Sequence, residues 1–380
     1  MSKSFPASAK SLVVLGMFDL SRLDSARPIR IHHFYTALQA LTPATLLSGN
    51  RTPRRWAIAR YLLAGGLRRT RAIYVEASTS TATEMDILFL ALARHSGIPI
   101  LVYIPDAYQL FPGLFPRRGW KVKLLDWGWQ RTIAAYYRTA DMLLFPSMGV
   151  AACFDHSSQF SVQARRSKAG IDVLPPAGQR DREWRPPSRE PPRIVFAGGT
   201  NFRYGSDLLL QAMEKVAAKH VSAHLHLITN NADYIASHPA RHAPWLTVTS
   251  LTVDQVAAMM PTVSLAVIPL RVNPYNNMAI PLKLFDFMSH GCPLVVTACH
   301  DMAALVNELR AGLVVEDAAE ALANGMIRLI ENPDLAARFG ENGYRAIQTA
   351  HSWSHRAQRL MKMIEKIENS KHEPRAASKS

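Results

Sequence analysis

The chain has 380 residues, more than one ordinary hydrophobic core holds, so two or three domains are expected. Hydrophobic residues make up 48% and charged residues 19%, which excludes a disordered chain. Lys and Arg exceed Asp and Glu by 44 − 29 = 15, an excess that calls for an anionic partner such as nucleic acid, lipid headgroups or a phosphorylated small molecule.

Met1–Lys10 is basic and polar, and the apolar run Leu12–Phe18 is broken by Asp19. That run is far short of the roughly 20 residues that span a bilayer, and no small-residue cleavage site follows it, so neither a membrane anchor nor a signal peptide is expected. Short apolar runs then alternate with helical patterns. Ser11–Met17, Ala44–Leu47, Ala72–Val75, Ile98–Ile104 and Met142–Phe145 read as buried strands. Ile29–Leu41, Pro53–Leu67, Thr83–His95 and Lys121–Thr139 read as the helices between them. This alternation predicts a parallel sheet covered on both faces. The rhythm stops at residues 177–192, where Gly178, Pro186, Pro187, Pro191 and Pro192 rule out a central strand or a helix interior, so the stretch is expected to link two domains.

It restarts with a strand at Arg193–Phe196, a loop at Gly198–Gly205 and a helix at Asp207–Lys219. Strands are expected at Leu225–Ile228, Leu246–Thr249, Ser264–Pro269, Pro293–Thr297 and Gly312–Val315. Helices are expected at Val253–Met260, Leu282–His290, Met302–Leu309 and Ala318–Glu331, and a last one at Trp353–Ile367. The fold class is therefore α/β, with two doubly wound Rossmann-like domains facing a cleft. The expected divisions are 1–176, a linker at 177–192, a second domain at 193–351, a closing helix at 352–368 and a disordered tail at 369–380. Ligands of such sheets bind beyond the carboxyl ends of the strands. Cys153, Cys292 and Cys299 are odd in number and fit neither a disulfide framework nor a zinc pattern, so a reducing cytoplasm is expected, with no metal.

Five stretches carry chemistry. In Pro274–Thr297, Pro281 marks a helix start, Lys283 and Asp286 follow at helical spacing, and His290-Gly291 ends the helix. The helix start and Lys283 suit a phosphate, and Asp286 suits the two hydroxyls of a ribose. A solvated Lys–Asp pair on an exposed helix gives the same pattern. Phe196–Gly205, FAGGTNFRYG, joins a strand to a helix, so amides near Gly198 and Gly199 can face an anion, although a tight turn needs Gly in any case. In Tyr103–Pro112, Asp106 lies just past a strand end, where Asp also serves as a turn or capping residue. Arg27 and Arg30, with His32 and His33, lie at the first strand–helix junction, and Glu76 ends the third strand. Each reads equally as a cleft-facing residue, on the side that the resemblance below implies for an acceptor, or as an ordinary surface or capping group. Finally, Arg51–Arg71 holds seven Arg and no acid, interleaved with Trp56, Ile58, Tyr61, Leu62 and Leu63. Arg117–Arg138 carries Arg117, Arg118, Lys121, Lys123, Arg131 and Arg138 against Asp126, with Trp120, Trp127 and Trp129. Helices 53–67 and 121–139 fit an anionic membrane surface, and fit equally a core-facing stripe with a solvated basic back.

The segment PLKLFDFMSHGCPLVVT resembles, in order and spacing, the donor-binding signature of family-4-like glycosyltransferases of the GT-B fold, the glycosyl transferases group 1. FAGG at the start of the second domain, ATLLSG, YVEAS and the helix after Ser352-Trp353 extend the likeness more weakly. The resemblance implies that Asp286 binds the donor ribose and that the Gly198–Gly199 loop faces the diphosphate. Asp286 replaces the usual Glu, and Met278 replaces a second Glu eight residues earlier, so the part of that Glu is lost or passes to Asn276, Asn277 or backbone amides of the Met278–Ala279–Ile280 turn. The Arg and Lys of the family's loop fall on Gly199 and Tyr204, which leaves Arg203 to supply charge; Pro105 stands where many relatives have a His before Asp106.

The implied activity is retaining, metal-independent transfer of a sugar from a nucleotide-diphosphate sugar to a glycan, lipid-linked or other acceptor. Asp106 is the catalytic candidate. No cofactor is needed beyond the donor substrate. The expected place is cytoplasmic, peripheral on the inner membrane face, and nucleic acid is not the expected partner because no recognised motif supports it. A sugar-nucleotide epimerase or hydrolase, or a non-catalytic partner subunit, would share the same donor pocket.

Overall fold

The computed structural model describes every residue except 1–4, 7–8, 21–25, 78–80, 116–118, 157–159, 161–166, 181–183, 189–190 and 373–380. Arg117 and Arg118, and parts of the 21–33 loop, the 177–192 stretch and the 369–380 tail, thus lie outside the described residues. Two units result, one of Met1–Pro175 with Trp353–Ser380 and one of Pro176–Ser352.

The first unit is built on a six-stranded parallel sheet in the order β2-β1-β3-β4-β5-β6. The strands are β1 Ser11–Gly16, β2 Ala44–Ser48, β3 Thr70–Glu76, β4 Ile100–Tyr103, β5 Met142–Phe145 and β6 Gly170–Val173. β1, β3 and β4 are almost wholly buried, as continuous apolar runs covered on both faces must be. The helices are α1 Ala26–Gln39, α2 Arg51–Leu63, α3 Glu84–His95, α4 Trp120–Thr139 and α5 Met148–His156. β6 and α5 were not expected from the sequence, because GIDV is too short and too exposed to show a strand pattern. The expected helix 53–67 ends at Leu63 and is followed by a separate 3₁₀ turn, Gly66–Arg69, with Gly65 in the left-handed region between them.

α2 and α3 are locked by one buried pair. Arg54 donates from Nε and Nη2 to the two carboxylate oxygens of Asp86, both at 2.8 Å, and from Nη1 to the Gly49 carbonyl at 2.7 Å. Asp86 is also the third helical residue of a capping box with Thr83, so one carboxylate serves both the helix start and the neighbouring helix. The final helix, α13 Trp353–His372, packs on α1. Its Arg356 lies over the rings of Phe34 and Tyr103 and donates to the Pro175 carbonyl at 2.6 Å. The helix extends five residues past the expected end at Ile367 and takes in the first residues of the expected tail.

The second unit repeats the design with strand order β12-β11-β10-β7-β8-β9. Its strands are β7 Arg193–Ala197, β8 His224–Ile228, β9 Leu246–Thr249, β10 Leu265–Ile268, β11 Leu294–Thr297 and β12 Gly312–Val315, all paired in parallel. Its helices are α6 Ser206–Lys219, α7 Asp233–Ala236, α8 Val253–Met259, α9 Leu282–Ser289, α10 His300–Leu309, α11 Ala319–Glu331 and α12 Pro333–Ala346. α7 and α12 were missed from sequence. Two apolar clusters, one on each sheet face, enclose the strands. The described residues of the stretch expected to link the domains pack on this unit. Gly178 donates to the His351 carbonyl, Gln179 to Ser289 Oγ and Ser188 to the Val263 carbonyl, and Trp184 lies against Gly291.

Candidate functional site

In the second sheet, chain order reverses between β7 and β10, which are neighbours. The loops leaving the carboxyl ends of these two strands diverge to opposite faces, which opens a crevice at the switch point where ligands of open α/β sheets bind. The loop after β7 is residues 198–205 and the loop after β10 is residues 269–281; the first lies within, and the second overlaps, the stretches 196–205 and 274–297 singled out from the sequence.

Three contacts tie these loops together. Asn276 donates from Nδ2 to the carbonyls of Arg203 at 3.2 Å and Arg271 at 2.7 Å. The Arg271 guanidinium lies 4.9 Å from the Phe202 ring centroid. A Cβ on Gly205 would stand 1.6 Å from the Pro269 carbonyl oxygen, and Gly205 has φ +72, so this glycine is required twice over.

Lys283 and Gly198 form the floor. Lys283 sits in the first turn of α9, with Pro281 as the capping residue. Its amine passes under the Gly198 loop, donates to the Ala197 carbonyl at 2.7 Å and lies 4.3 Å from the Phe196 ring centroid. Gly198 has φ +138, and a Cβ there would meet Lys283 Nζ at 2.9 Å. The residue keeps some exposed surface, but the amine is enclosed by protein, and burial lowers its pKa from 10.5 to about 7. Asp286 lies one turn further on the same helix and is half-buried.

The remaining sequence candidates fall around this floor. Gly199 is covered by the ring of Tyr204, which a Cβ at Gly199 would meet at 2.5 Å, so the two positions where the family signature has Arg and Lys are in contact here as Gly and Tyr. Arg203 is exposed on the 3₁₀ turn Phe202–Tyr204, whose start is capped by Asn201 Oδ1. Asn276–Met278 form a second 3₁₀ turn; Met278 is buried, and Asn277, Ala279 and Ile280 are half-buried. Met278 is thus an interior side chain.

Sequence reasoning missed one group. Arg271, just past β10, pairs with Asp207 in the first turn of α6 and with Asp317 after β12. Asp317 also accepts from the Val272 amide at 2.8 Å. This triad fixes the rim of the crevice by joining three loops. No spacing in the chain links residues 207, 271 and 317, so no local signal announced it.

The first unit brings its candidates together in two pairs. Arg27 Nη2 lies 3.7 Å from Asp106 Oδ2. Asp106 Oδ1 accepts from the amides of Ala107 at 2.7 Å and Tyr108 at 3.2 Å, the turn role that competed with the catalytic reading. Arg30 donates from Nε to Glu76 at 2.5 Å, and Tyr74 donates its hydroxyl to the same carboxylate. Glu76 is 0% exposed and Arg30 7%, so this pair braces the interior. Enclosure and the neighbouring Glu76 charge push the Tyr74 hydroxyl well above its ordinary range. Among the described residues no group of three or more His, Cys, Asp or Glu could hold a metal ion, and no helix is long and apolar enough to cross a membrane.

Residues 191–332 match the family model described as glycosyl transferases group 1. No curated protein matches the sequence significantly. Solved structures match over nearly the whole chain. Sucrose-phosphate synthase from Thermosynechococcus elongatus is 15% identical with a TM-score of 0.66, covering 95% of this chain and 100% of its own. WaaG, a glycosyltransferase involved in lipopolysaccharide biosynthesis, is 12% identical with a TM-score of 0.63, over 93% and 99%. HepE from Anabaena, solved with UDP, is 13% identical with a TM-score of 0.62, over 94% and 100%. At such identities the likeness establishes the fold, and the matched family lies on the unit that carries the crevice. The chain therefore has the two-domain GT-B fold of glycosyltransferases, and its residues 191–332 match the glycosyl transferases group 1 family.

Proposed function

We propose that the protein transfers a sugar from a nucleotide-diphosphate sugar to a glycan, lipid-linked or other acceptor, with retention and without a metal. The observation that carries this reading is the meeting of the Gly198 loop and Lys283 at the switch point of a region that matches the glycosyl transferases group 1 family, with Asp286 one turn further along the helix of Lys283. The Gly198 and Gly199 amides and Lys283 would hold the diphosphate, Arg203 would add charge at the rim, and Asp286 would accept from the ribose hydroxyls. Asn277, Met278, Ala279 and Ile280 contribute backbone groups beside the sugar. Asp106, oriented by Arg27, is the acceptor-side candidate for the reacting hydroxyl. Catalysis then rests on positioning and on stabilising the leaving diphosphate. The solved complex of HepE with UDP makes UDP the first nucleotide to try.

A thermal-shift panel of UDP, GDP, ADP, TDP and CMP tests the donor reading. A nucleotide present at a hundred times its Kd stabilises the native state by about 2.7 kcal/mol, a shift of several degrees. Asp286→Ala should abolish the shift, with the melting temperature of the free variant as its reference. If no nucleotide shifts the wild type, the donor reading is wrong. A shift that survives Asp286→Ala removes Asp286 from the ribose role.

A further inference from the structure

The two halves of α4 are built differently. From Gly128 onward its inner side is core: Trp129 packs on Phe154 and Phe160, Gly128 abuts Thr81, and Thr132 Oγ1 accepts from the Ala82 amide. The first two turns have no such cover. Trp120 is 72% exposed, Leu124 57%, Leu125 52% and Trp127 54%. Single exposed apolar side chains are ordinary, but Trp120, Leu124 and Trp127 on one side of two helical turns form a patch that calls for an occupant, with Leu125 exposed about 100° round the helix from Leu124.

Their arrangement is directional. At 3.6 residues per turn, Trp120, Leu124, Trp127 and Arg131 fall within a stripe about 60° wide, with Lys123 and Lys121 on its two flanks. Both lysines are exposed, and the cations also touch the rings: Arg131 lies 4.7 Å from the Trp127 centroid and Lys121 5.7 Å from that of Trp120. Asp126 is the one acid in α4, against Lys121, Lys123, Arg131 and Arg138. An apolar ridge edged by cations is complementary to one environment, the boundary between acyl chains and anionic headgroups.

The rest of the layer agrees. β2→β3, β3→β4 and β4→β5 step across the sheet in one direction, so their right-handed crossovers place α2, α3 and α4 on the same face. α2 adds Trp56, 68% exposed, with Arg51 and Arg60 exposed beside it in sequence. The sequence pattern gave α2 and α4 equal standing, and the structure separates them. Within 51–71, Arg54 is bound by Asp86, Arg55 by Glu84, Arg71 by Glu368, and Arg69 donates to the Ala64 carbonyl. α2 therefore offers fewer uncommitted cations than its seven-Arg stretch implied, and α4 carries the exposed apolar ridge.

We infer that the first two turns of α4, Trp120–Trp127, dock this protein on an anionic lipid surface, with the exposed arginines of α2 adding attraction across the same face. Docking does not depend on the donor reading, and the two fail separately. The test is co-sedimentation of the full chain with vesicles of phosphatidylcholine alone and with about one-third phosphatidylglycerol. Binding is expected to the anionic vesicles and to fall steeply when salt is raised to about 0.5 M. Trp120→Ser combined with Trp127→Ser should weaken partitioning by about tenfold or more. Lys121→Gln combined with Lys123→Gln should weaken it about thirtyfold and reduce the preference for anionic lipid, the remaining arginines keeping part of it. All four positions are exposed, so melting curves of these variants should match the wild type and exclude misfolding as the cause. Equal binding to neutral vesicles, or tryptophan variants that bind like the wild type, would overturn the inference. So would a wild-type dimer in solution that the tryptophan variants dissolve, since a second copy would then own the ridge.

Discussion

Lys283 makes a prediction whose sign and size follow from its surroundings. Its amine falls from an ordinary 10.5 to about 7 because it is enclosed under the Gly198 loop, with the Ala197 carbonyl as its hydrogen-bond partner. That drop is equivalent to roughly 5 kcal/mol of penalty on the charged form, as an order of magnitude. The folded state releases a proton that the unfolded chain retains until near 10.5. The penalty is therefore complete below about pH 7, shrinks as pH rises through the window from 7 to 10.5, and is absent above it. Lys283→Met removes the amine but keeps the apolar stem. The variant should be more stable than the wild type at pH 6, with the advantage shrinking by about 1.4 kcal/mol per pH unit between 7 and 9. Denaturant unfolding of both proteins across that range measures the difference directly, and contributions from other titrating groups cancel between them. The same variant should lose nucleotide binding, and wild-type affinity should fall by up to about tenfold per pH unit above 7, because binding a diphosphate requires the charged amine. A stability difference that stays constant from pH 6 to 9 would refute the enclosed amine, and an affinity independent of pH would refute its contact with the diphosphate.

Two further predictions concern the frame of the molecule. Gly205→Ala must adopt an unfavourable backbone conformation and drive the 198–205 and 269–281 loops apart, so a loss of about 3 kcal/mol or more is expected. A melting temperature within about two degrees of wild type would show that the two loops are not in contact. Arg54→Met strands the buried Asp86 carboxylate and should cost about 3–5 kcal/mol, part of which should return in Arg54→Met with Asp86→Leu, the cap at Thr83 remaining lost. Additive losses in the double variant would contradict the pairing.

Much of this architecture is legible in the residue order. Continuous apolar strands such as Leu12–Leu15 and Leu294–Val296 need cover on both faces, and the helices between them supply it, which is why a parallel α/β fold follows from local pattern alone. The start at Pro281 and the stop at Gly291 bounded α9 for the same reason, since both act through their own backbone. Edge elements escaped notice: β6 is half-exposed and only four residues long, and α12 follows α11 with only Asn332 between, so neither has a pattern of its own.

What the chain order left open was the choice of partners. Nothing local tells that Arg54 and Arg30 turn inward to Asp86 and Glu76, or that Trp120, Leu124 and Trp127 remain outside while Trp129 becomes core. The sequence alone determined that a cation and a carboxylate share one helix start. Only the folded sheet carried Lys283 beneath a glycine loop 86 residues away and joined Arg271 to Asp207 and Asp317. Periodicity and caps are short-range properties written into neighbouring residues, whereas the burial of a charge depends on every segment that folds over it.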